Sequence, residues 1–166
     1  MAAFNQGRDI ISLPIDSPER RRLPPLLRRA WYGLNQAFRR RITELRITPD
    51  QFTVLRTLRE HAGITQRELT QLMTSDPNTV ASLLERMEKA GLVERKSHEQ
   101  DRRARRLHLR PSGKRKYQQA REAALELQSE VLSVLLESDR EMFLEHLDRV
   151  ANACRMAAEQ SPKKSK

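Results

Sequence analysis

The segment from Thr65 to Arg95 is the most informative about the fold and reads TQRELTQLMTSDPNTVASLLERMEKAGLVER. Thr65-Gln66-Arg67-Glu68 has the pattern of a capping box, in which a threonine and a glutamate three residues later satisfy each other's backbone amides at a helix start. Asp76-Pro77 predicts the start of a second helix, and Gly91 is placed to end it. Only a short turn separates the two helices, which is typical of a helix-turn-helix unit.

The apolar period changes after Gly91 from that of a helix to that of a strand. Residues 92–96 and 106–109 alternate apolar and polar side chains, and an arginine-rich polar stretch separates them. This pattern predicts a β-hairpin with a basic tip. A helix-turn-helix followed directly by such a hairpin is a winged helix, so we expect a mainly α (α+β) fold with a short β-hairpin wing.

Long helices are predicted on both sides of the winged helix. Apolar residues recur at helical spacing from Leu27 to Leu45, and a similar stripe runs from Pro111 to Leu136. Ser138-Asp139-Arg140-Glu141 resembles a capping box that opens a last helix, with Cys154 on its inner face. We therefore expect a flexible arm at 1–22, a dimerisation helix at 23–46, a winged helix-turn-helix at 47–110, dimerisation helices at 111–160 and a basic tail at 161–166.

The flanking helices carry more apolar surface than a winged helix of ~60 residues covers, so a homodimer interface is the first interpretation. Packing of every stripe within one subunit is the alternative. The residues assigned to the interface are Leu27, Leu127, Val131, Phe143, Leu147 and Val150.

Composition excludes several classes of function. The chain has 166 residues, a formal charge of +10, a single cysteine and only five glycines. Disulfide frameworks, cysteine-based zinc sites and glycine-rich phosphate loops are therefore not expected, and scattered histidines argue against a metal site. No apolar run is long enough to span a membrane. We expect a soluble, non-secreted protein without cofactor, metal or enzymatic activity.

The positive charge is concentrated in one segment. Residues 86–121 hold thirteen basic and four acidic side chains. Such a stretch is an electrostatic footprint for a polyanion, whether DNA, RNA or an anionic membrane, although a merely solubilising basic loop is the alternative.

The second helix of the unit should present a polar outer face, since Val80, Leu83, Leu84 and Met87 form its inner one. Small polar residues at a helix start, with an arginine further along, suit base edges in the major groove. A plain solvated face is the alternative. The residues assigned to DNA are Asn78, Thr79, Ser82 and Arg86 as base readers, Thr65 and Gln66 through backbone amides, and His98, Asp101, Arg102, Arg103 and Arg105 in the wing.

The sequence resembles the multiple-antibiotic-resistance regulator (MarR) family of bacterial transcription factors. The most specific part of the resemblance is the stretch from Asn78 to Arg95, followed by Asp101-Arg102-Arg103, five further residues, Leu109 and Gly113. Arg110 stands where the family usually has a threonine that caps the next helix, so Ser112 or the Pro111 turn is expected to start that helix here. The resemblance also implies that Asp101 pairs with Arg103.

The resemblance implies a function. It points to a cytoplasmic, nucleoid-associated repressor that binds a pseudo-palindromic double-stranded operator as a homodimer and responds to a small aromatic or phenolic acid. An architectural or constitutive DNA-binding protein without an effector is the alternative. The residues assigned to an effector are Arg28, Trp31, Asn35, Phe52, Arg56 and Tyr117, and core packing explains the three aromatic ones equally well.

Overall fold

The structure is a computed structural model that describes residues 17–18, 22–97 and 105–160. The chain divides into two compact units, residues 1–123 and 124–166. The helices are α1 (Leu23–Arg41), α2 (Pro49–Glu60), α3 (Gln66–Leu72), α4 (Pro77–Lys89), α5 (Pro111–Leu132) and α6 (Glu137–Gln160), and the strands are β1 (Val93–Ser97) and β2 (Arg105–Leu109). This order confirms the predicted winged helix-turn-helix. No helix within the described ranges is long and apolar enough to cross a membrane.

The first helix is shorter than predicted. α1 ends at Arg41, a 3-10 helix follows at Thr43–Leu45, and Arg46 adopts a left-handed conformation with φ of 50°. The proline at position 49 sets a limit to any helix here, because a residue before proline is driven out of the helical region. Thr48 precedes Pro49 and is extended, with ψ of 161°, so the chain has to leave the helix before it.

Thr48 caps α2. Its hydroxyl accepts the Gln51 amide at 3.2 Å, and the Gln51 side chain accepts the Thr48 amide at 2.9 Å. Two backbone donors that the helix leaves without partners are thereby satisfied. The cap fixes where α2 begins, and so which face of α2 packs inward.

The core of the first unit is largely aliphatic and lies between α2, α3, α4 and the hairpin. Leu55, Leu69, Val80, Leu84 and Met87 are almost fully buried there. A small aromatic cluster adjoins it: the Phe38 and Phe52 rings meet edge to face at 4.9 Å, and Phe52 stacks on Tyr117 at 5.9 Å. The apolar face predicted for α4 is therefore confirmed.

The hairpin contains a feature that the sequence did not reveal. β1 and β2 pair antiparallel, with Val93 opposite Leu109 and Arg95 opposite Leu107. The loop before α3 pairs with the other edge of β2, because the Leu107 amide donates to the Ile64 carbonyl at 2.9 Å and the Gly63 amide donates to the Leu107 carbonyl at 3.2 Å. β2 is thus held on both edges, and the wing is anchored to the start of α3.

The start of α5 is packed tightly against the end of α4. The Arg110 amide donates to the Leu92 carbonyl at 3.0 Å, and the Ser112 hydroxyl donates to the Gly91 carbonyl. Ser112 therefore joins α5 to the α4 terminus and does not cap its own helix, which begins at Pro111. A Cβ atom on Gly113 would lie 2.2 Å from the Leu92 carbonyl oxygen, so glycine is required there by space.

The second unit begins within α5. This helix ends at Leu132 and not at the predicted Leu136, and the Arg140 guanidinium donates to the Leu132 carbonyl at 3.1 Å. The predicted capping box at Ser138 is wrong: α6 begins at Glu137, and the Ser138 hydroxyl contacts the Asp139 carboxylate at 3.1 Å. Acidic side chains in this first turn complement the helix dipole without that box.

The predicted inner face of α6 is not buried within the single chain. Phe143 is 43% exposed and Leu147 40%, Cys154 is exposed, and none of the residues of Glu137–Gln160 is buried. Of the remaining residues assigned to a dimer interface, Leu127 is buried, Val131 is exposed, and Leu27 and Val150 are half-buried. The prediction that Cys154 lies on a buried inner face of the last helix is therefore wrong for the single chain, in which Cys154 is exposed.

We predict that Gly113→Ala destabilises the protein, because the new methyl group can be accommodated only if the start of α5 moves away from Leu92. Overpacking of this kind costs about 1–3 kcal/mol. Gly33→Ala is the matched control, since Gly33 lies inside α1 with nothing within 4 Å of the added Cβ. Its free energy of unfolding should rise by roughly 0.5–1 kcal/mol, because alanine is the better helix former. Urea denaturation of both variants measures the difference, and equal stability of Gly113→Ala and wild type would contradict it.

Candidate nucleic-acid interface

The predicted reading face of α4 lies on the surface. Asn78, Thr79, Ser82 and Arg86 are all exposed. The four apolar residues of the opposite face are buried, with Val80, Leu84 and Met87 at 0% exposure. α4 is therefore held by its apolar stripe and offers a polar one. Contact of that stripe with bases stays a prediction.

Asp76 fixes the first turn of α4. One carboxylate oxygen accepts the amides of Asn78 at 3.0 Å and Thr79 at 2.9 Å. Hydrogen bonds from Thr79, above all, hold the pKa of Asp76 below its usual range. The carboxylate is ionised at neutral pH and occupies the helix N-terminus, so the protein itself satisfies the amides that a phosphate would otherwise bind. The side chains of α4, and not the amides of its first turn, are therefore what this helix presents at the surface.

The other end of α4 is closed by Gly91. This residue has φ of +68°, its amide donates to Glu88 at 2.9 Å, and the Leu92 amide donates to Met87 at 2.9 Å. The pair of bonds forms a Schellman motif, which depends on a left-handed residue that glycine adopts without strain. Helix end and wing start are thus fixed within two residues.

The start of α3 is closed by hydrogen bonds within the protein. Thr65 and Glu68 form the predicted capping box, in which the Glu68 carboxylate accepts the Thr65 amide at 2.7 Å. This bond, above all, lowers the pKa of Glu68 below its ordinary value. The Thr65 amide thus has a partner within the protein, and its assignment as a phosphate donor stays a prediction. The Gln66 side chain accepts a hydrogen bond from Arg95 at 3.2 Å.

Two arginines at the base of the wing were not assigned a role from the sequence. Arg95 pairs with Glu88 at 3.1 Å, and Arg106 donates to the Gly63 carbonyl at 3.0 Å. Among the described residues, the Arg106 Nε atom is a buried side-chain nitrogen without a hydrogen-bond partner. Strand alternation gives no signal for the contacts of Arg95 with Gln66 and of Arg106 with Gly63, because these partners lie 29 and 43 residues away.

Most of the predicted wing contacts lie outside the described residues. These are His98, Asp101, Arg102 and Arg103, so the proposed Asp101–Arg103 pair stays a prediction. Arg105 is described and is exposed at the start of β2. It is the member of the wing set whose accessibility the structure shows.

The residues assigned to an effector fall into separate groups. Phe52 is 7% exposed and belongs to the aromatic cluster with Phe38 and Tyr117. Trp31, by contrast, is 65% exposed. Trp31 and Asn35 line a surface depression of about 310 Å³ on α1, together with Tyr32, Gln36, Arg39 and Arg40. Arg28 and Arg56 are exposed. The described residues contain no group of three or more side chains suited to hold a metal ion.

Comparison with known proteins identifies relatives along most of the chain. Residues 47–104 match the model of the MarR family. YsmB of Bacillus subtilis, an uncharacterised HTH-type transcriptional regulator, is 39% identical over 82 residues, which are 49% of this chain and 56% of that protein. The transcriptional regulator HosA of Escherichia coli O111:H- is 28% identical over 133 residues, 77% of this chain and 98% of that protein.

A solved structure has the same fold. A mutant of MarR from E. coli in complex with operator DNA has a TM-score of 0.73 and 25% sequence identity, covering 80% of this chain and 95% of that one. The match of the family model covers α2, α3, α4 and β1 and ends just before β2. Residues 47–104 therefore match the MarR family model, and the chain is similar over most of its length to DNA-binding transcriptional regulators.

Proposed function

We propose that the protein is a homodimeric repressor that binds a pseudo-palindromic operator through α4 and the wing of each subunit. The observation that carries this proposal is the division of α4 into a buried apolar face and an exposed polar face, with both helix ends fixed by the contacts described above. A rigid helix with a polar outer face is what entry into the major groove needs.

Each element has a separate task in this proposal. Asn78 and Arg86 read base edges, because an amide suits adenine and a guanidinium suits guanine. The basic wing binds phosphate or the minor groove, where contacts position the protein without distinguishing most sequences. Binding should therefore consist of a sequence-specific part from α4 and a salt-sensitive part from the wing.

Support for a homodimer comes from apolar side chains that the single chain leaves exposed. On α6 these include Met142, Phe143, Leu147 and Met156, and on α1 they include Leu26, Trp31 and Leu34. Exposed apolar patches of this kind mark association surfaces. A two-fold dimer places two copies of α4 at equivalent half-sites, which are typically spaced by about one helical turn of DNA.

We propose an effector of the small aromatic acid class for the depression on α1. Trp31 supplies an aromatic surface, and Arg39 and Arg40 supply cations for a carboxylate. The alternative, a constitutive DNA-binding protein, is favoured by the packing of Phe52 against Phe38 and Tyr117, since this places two of the three predicted effector aromatics in the core cluster. Loss of operator protection in footprinting when a phenolic acid is added distinguishes the two.

We predict different effects for substitutions in the reading helix and in the wing. Asn78→Ala and Arg86→Ala should each weaken binding to the duplex that the wild-type protein selects from a random pool by roughly 1–3 kcal/mol, with little effect on a scrambled duplex. Arg105→Ala should weaken both duplexes alike. It should also reduce the slope of log K against log salt by about 0.9 for each phosphate that the variant no longer binds.

From the sequence, we expect Arg103→Ala to weaken binding to both duplexes and to reduce the salt slope in the same way as Arg105→Ala. Titrations on both duplexes at two salt concentrations measure these effects, and Arg155→Ala on α6 serves as a charge-matched control. Equal weakening of both duplexes by Asn78→Ala would show that α4 is not the reader.

We also predict that Leu147→Asp lowers the dimer fraction and, with it, DNA affinity, because a charge in an apolar interface opposes association and two linked half-site contacts bind more tightly than one. Glu145→Ala is the matched control, since Glu145 is exposed on the same helix and lies on the opposite side from Leu147. Sedimentation measures both variants, and a wild-type protein that is monomeric at micromolar concentration would contradict the proposal.

A further inference from the structure

We propose that Arg95 is a positioning residue that fixes the orientation of α4 relative to the wing and α3, and thereby sets DNA affinity without binding DNA itself. The inference rests on the proposed function, since it concerns how the reading helix is held. It assigns a role to a residue that charge alone would place among the phosphate ligands.

One guanidinium joins three elements of the first unit. Arg95 lies in β1, its Nη2 donates to the Gln66 side-chain carbonyl at 3.2 Å, and its Nη1 lies 3.1 Å from a Glu88 carboxylate oxygen. Gln66 is the first residue of α3, and Glu88 is in the last turn of α4. The wing strand is thus tied to both helices of the helix-turn-helix through one side chain.

The chemistry of arginine suits this task. Its guanidinium is planar, and its donors point in fixed directions, so two partners are held at a set angle to each other. The apolar contacts between α3, α4 and the hairpin are not directional, so they resist small rotations of α4 about its axis less sharply than a directional hydrogen bond does. Because a binding site has to be held to within about 0.5 Å of its productive geometry, such rotations matter for Asn78 and Arg86.

The surroundings of Arg95 separate it from the exposed arginines. The side chains of Arg95 and Glu88 are only 26% and 28% exposed, whereas Arg86 and Arg105 are exposed. Both Nη groups of Arg95 already have partners within the protein, and Glu88 balances its charge. A pair of this kind adds little to stability, so its main effect is to specify geometry.

The test exploits the sign of an electrostatic effect. Glu88→Gln removes a negative charge near the proposed interface, and electrostatics alone would make the variant bind DNA more tightly. If Glu88 holds Arg95 in place, the variant binds more weakly. Glu85→Gln is the matched control, because Glu85 is exposed on the same helix and forms its salt bridge with Lys89 at 2.7 Å. Arg95 acts on Glu85 only as the weakest of several charge and hydrogen-bond effects. It should bind DNA as tightly as wild type or more tightly.

Arg95→Lys completes the experiment, since lysine keeps the charge but lacks the planar fork. On the duplex that the wild-type protein selects from a random pool, we expect Arg95→Lys and Glu88→Gln each to weaken binding on the order of tenfold, which is typical of residues coupled in one network. The double variant should be no weaker than the weaker single one. The slope of log K against log salt should remain that of wild type.

Two results would overturn the inference. One is a fall in the salt slope of Arg95→Lys by about 0.9 per subunit, which would make Arg95 a phosphate ligand. The other is Glu88→Gln binding as tightly as wild type. A wild-type protein that binds no duplex overturns the proposed function instead. In that case hydrogen exchange decides on Arg95: amides in the last turn of α4 and in β1 should exchange faster in Arg95→Lys, and unchanged exchange contradicts the tie.

Discussion

The backbone of Leu92 is the point on which the candidate interface depends. Its amide closes α4 by donating to Met87, and its carbonyl accepts the Arg110 amide that returns from the wing. The same carbonyl lies so close to the start of α5 that there is no room for a Cβ atom at position 113, which is Gly113. The helix α4, the wing and the start of α5 therefore meet at one residue, and a shift of any of them is transmitted to the others.

This junction explains how short elements hold a defined geometry. α3 has seven residues and α4 thirteen, which is too short for either to be stable alone. Their ends are fixed by Thr65 with Glu68, by Asp76 and by Gly91, while the apolar face of α4 supplies the burial. Stability comes from packing, and the caps determine where each helix begins and ends.

The local features of the fold could be predicted from the sequence, because their partners lie within three or four residues. The caps of Thr48, Thr65 and Asp76 and the glycine at 91 belong to this class. The pairing of residues 63–65 with β2 could not be predicted, because it joins segments about forty residues apart and has no periodic signature.

The candidate site shows the same limit. The outer face of α4 follows from the helical period, whereas the role of Arg95 depends on Gln66 and Glu88 being brought to one point by the fold. The predicted effector residues were grouped by chemistry, and the structure places Phe52 in the core cluster and Trp31 on the surface. Residue type alone does not distinguish an aromatic that packs from one that binds.

The proposed function requires the outer face of α4 to enter the major groove. Photo-crosslinking tests it most directly, with a photoreactive amino acid placed at Ser82 on α4 or, as a control, at Asp148 on α6. We predict that the Ser82 probe crosslinks to major-groove bases at two symmetric positions of the selected duplex, and that the Asp148 probe does not crosslink. Crosslinking from Asp148 with none from Ser82 would contradict the claim.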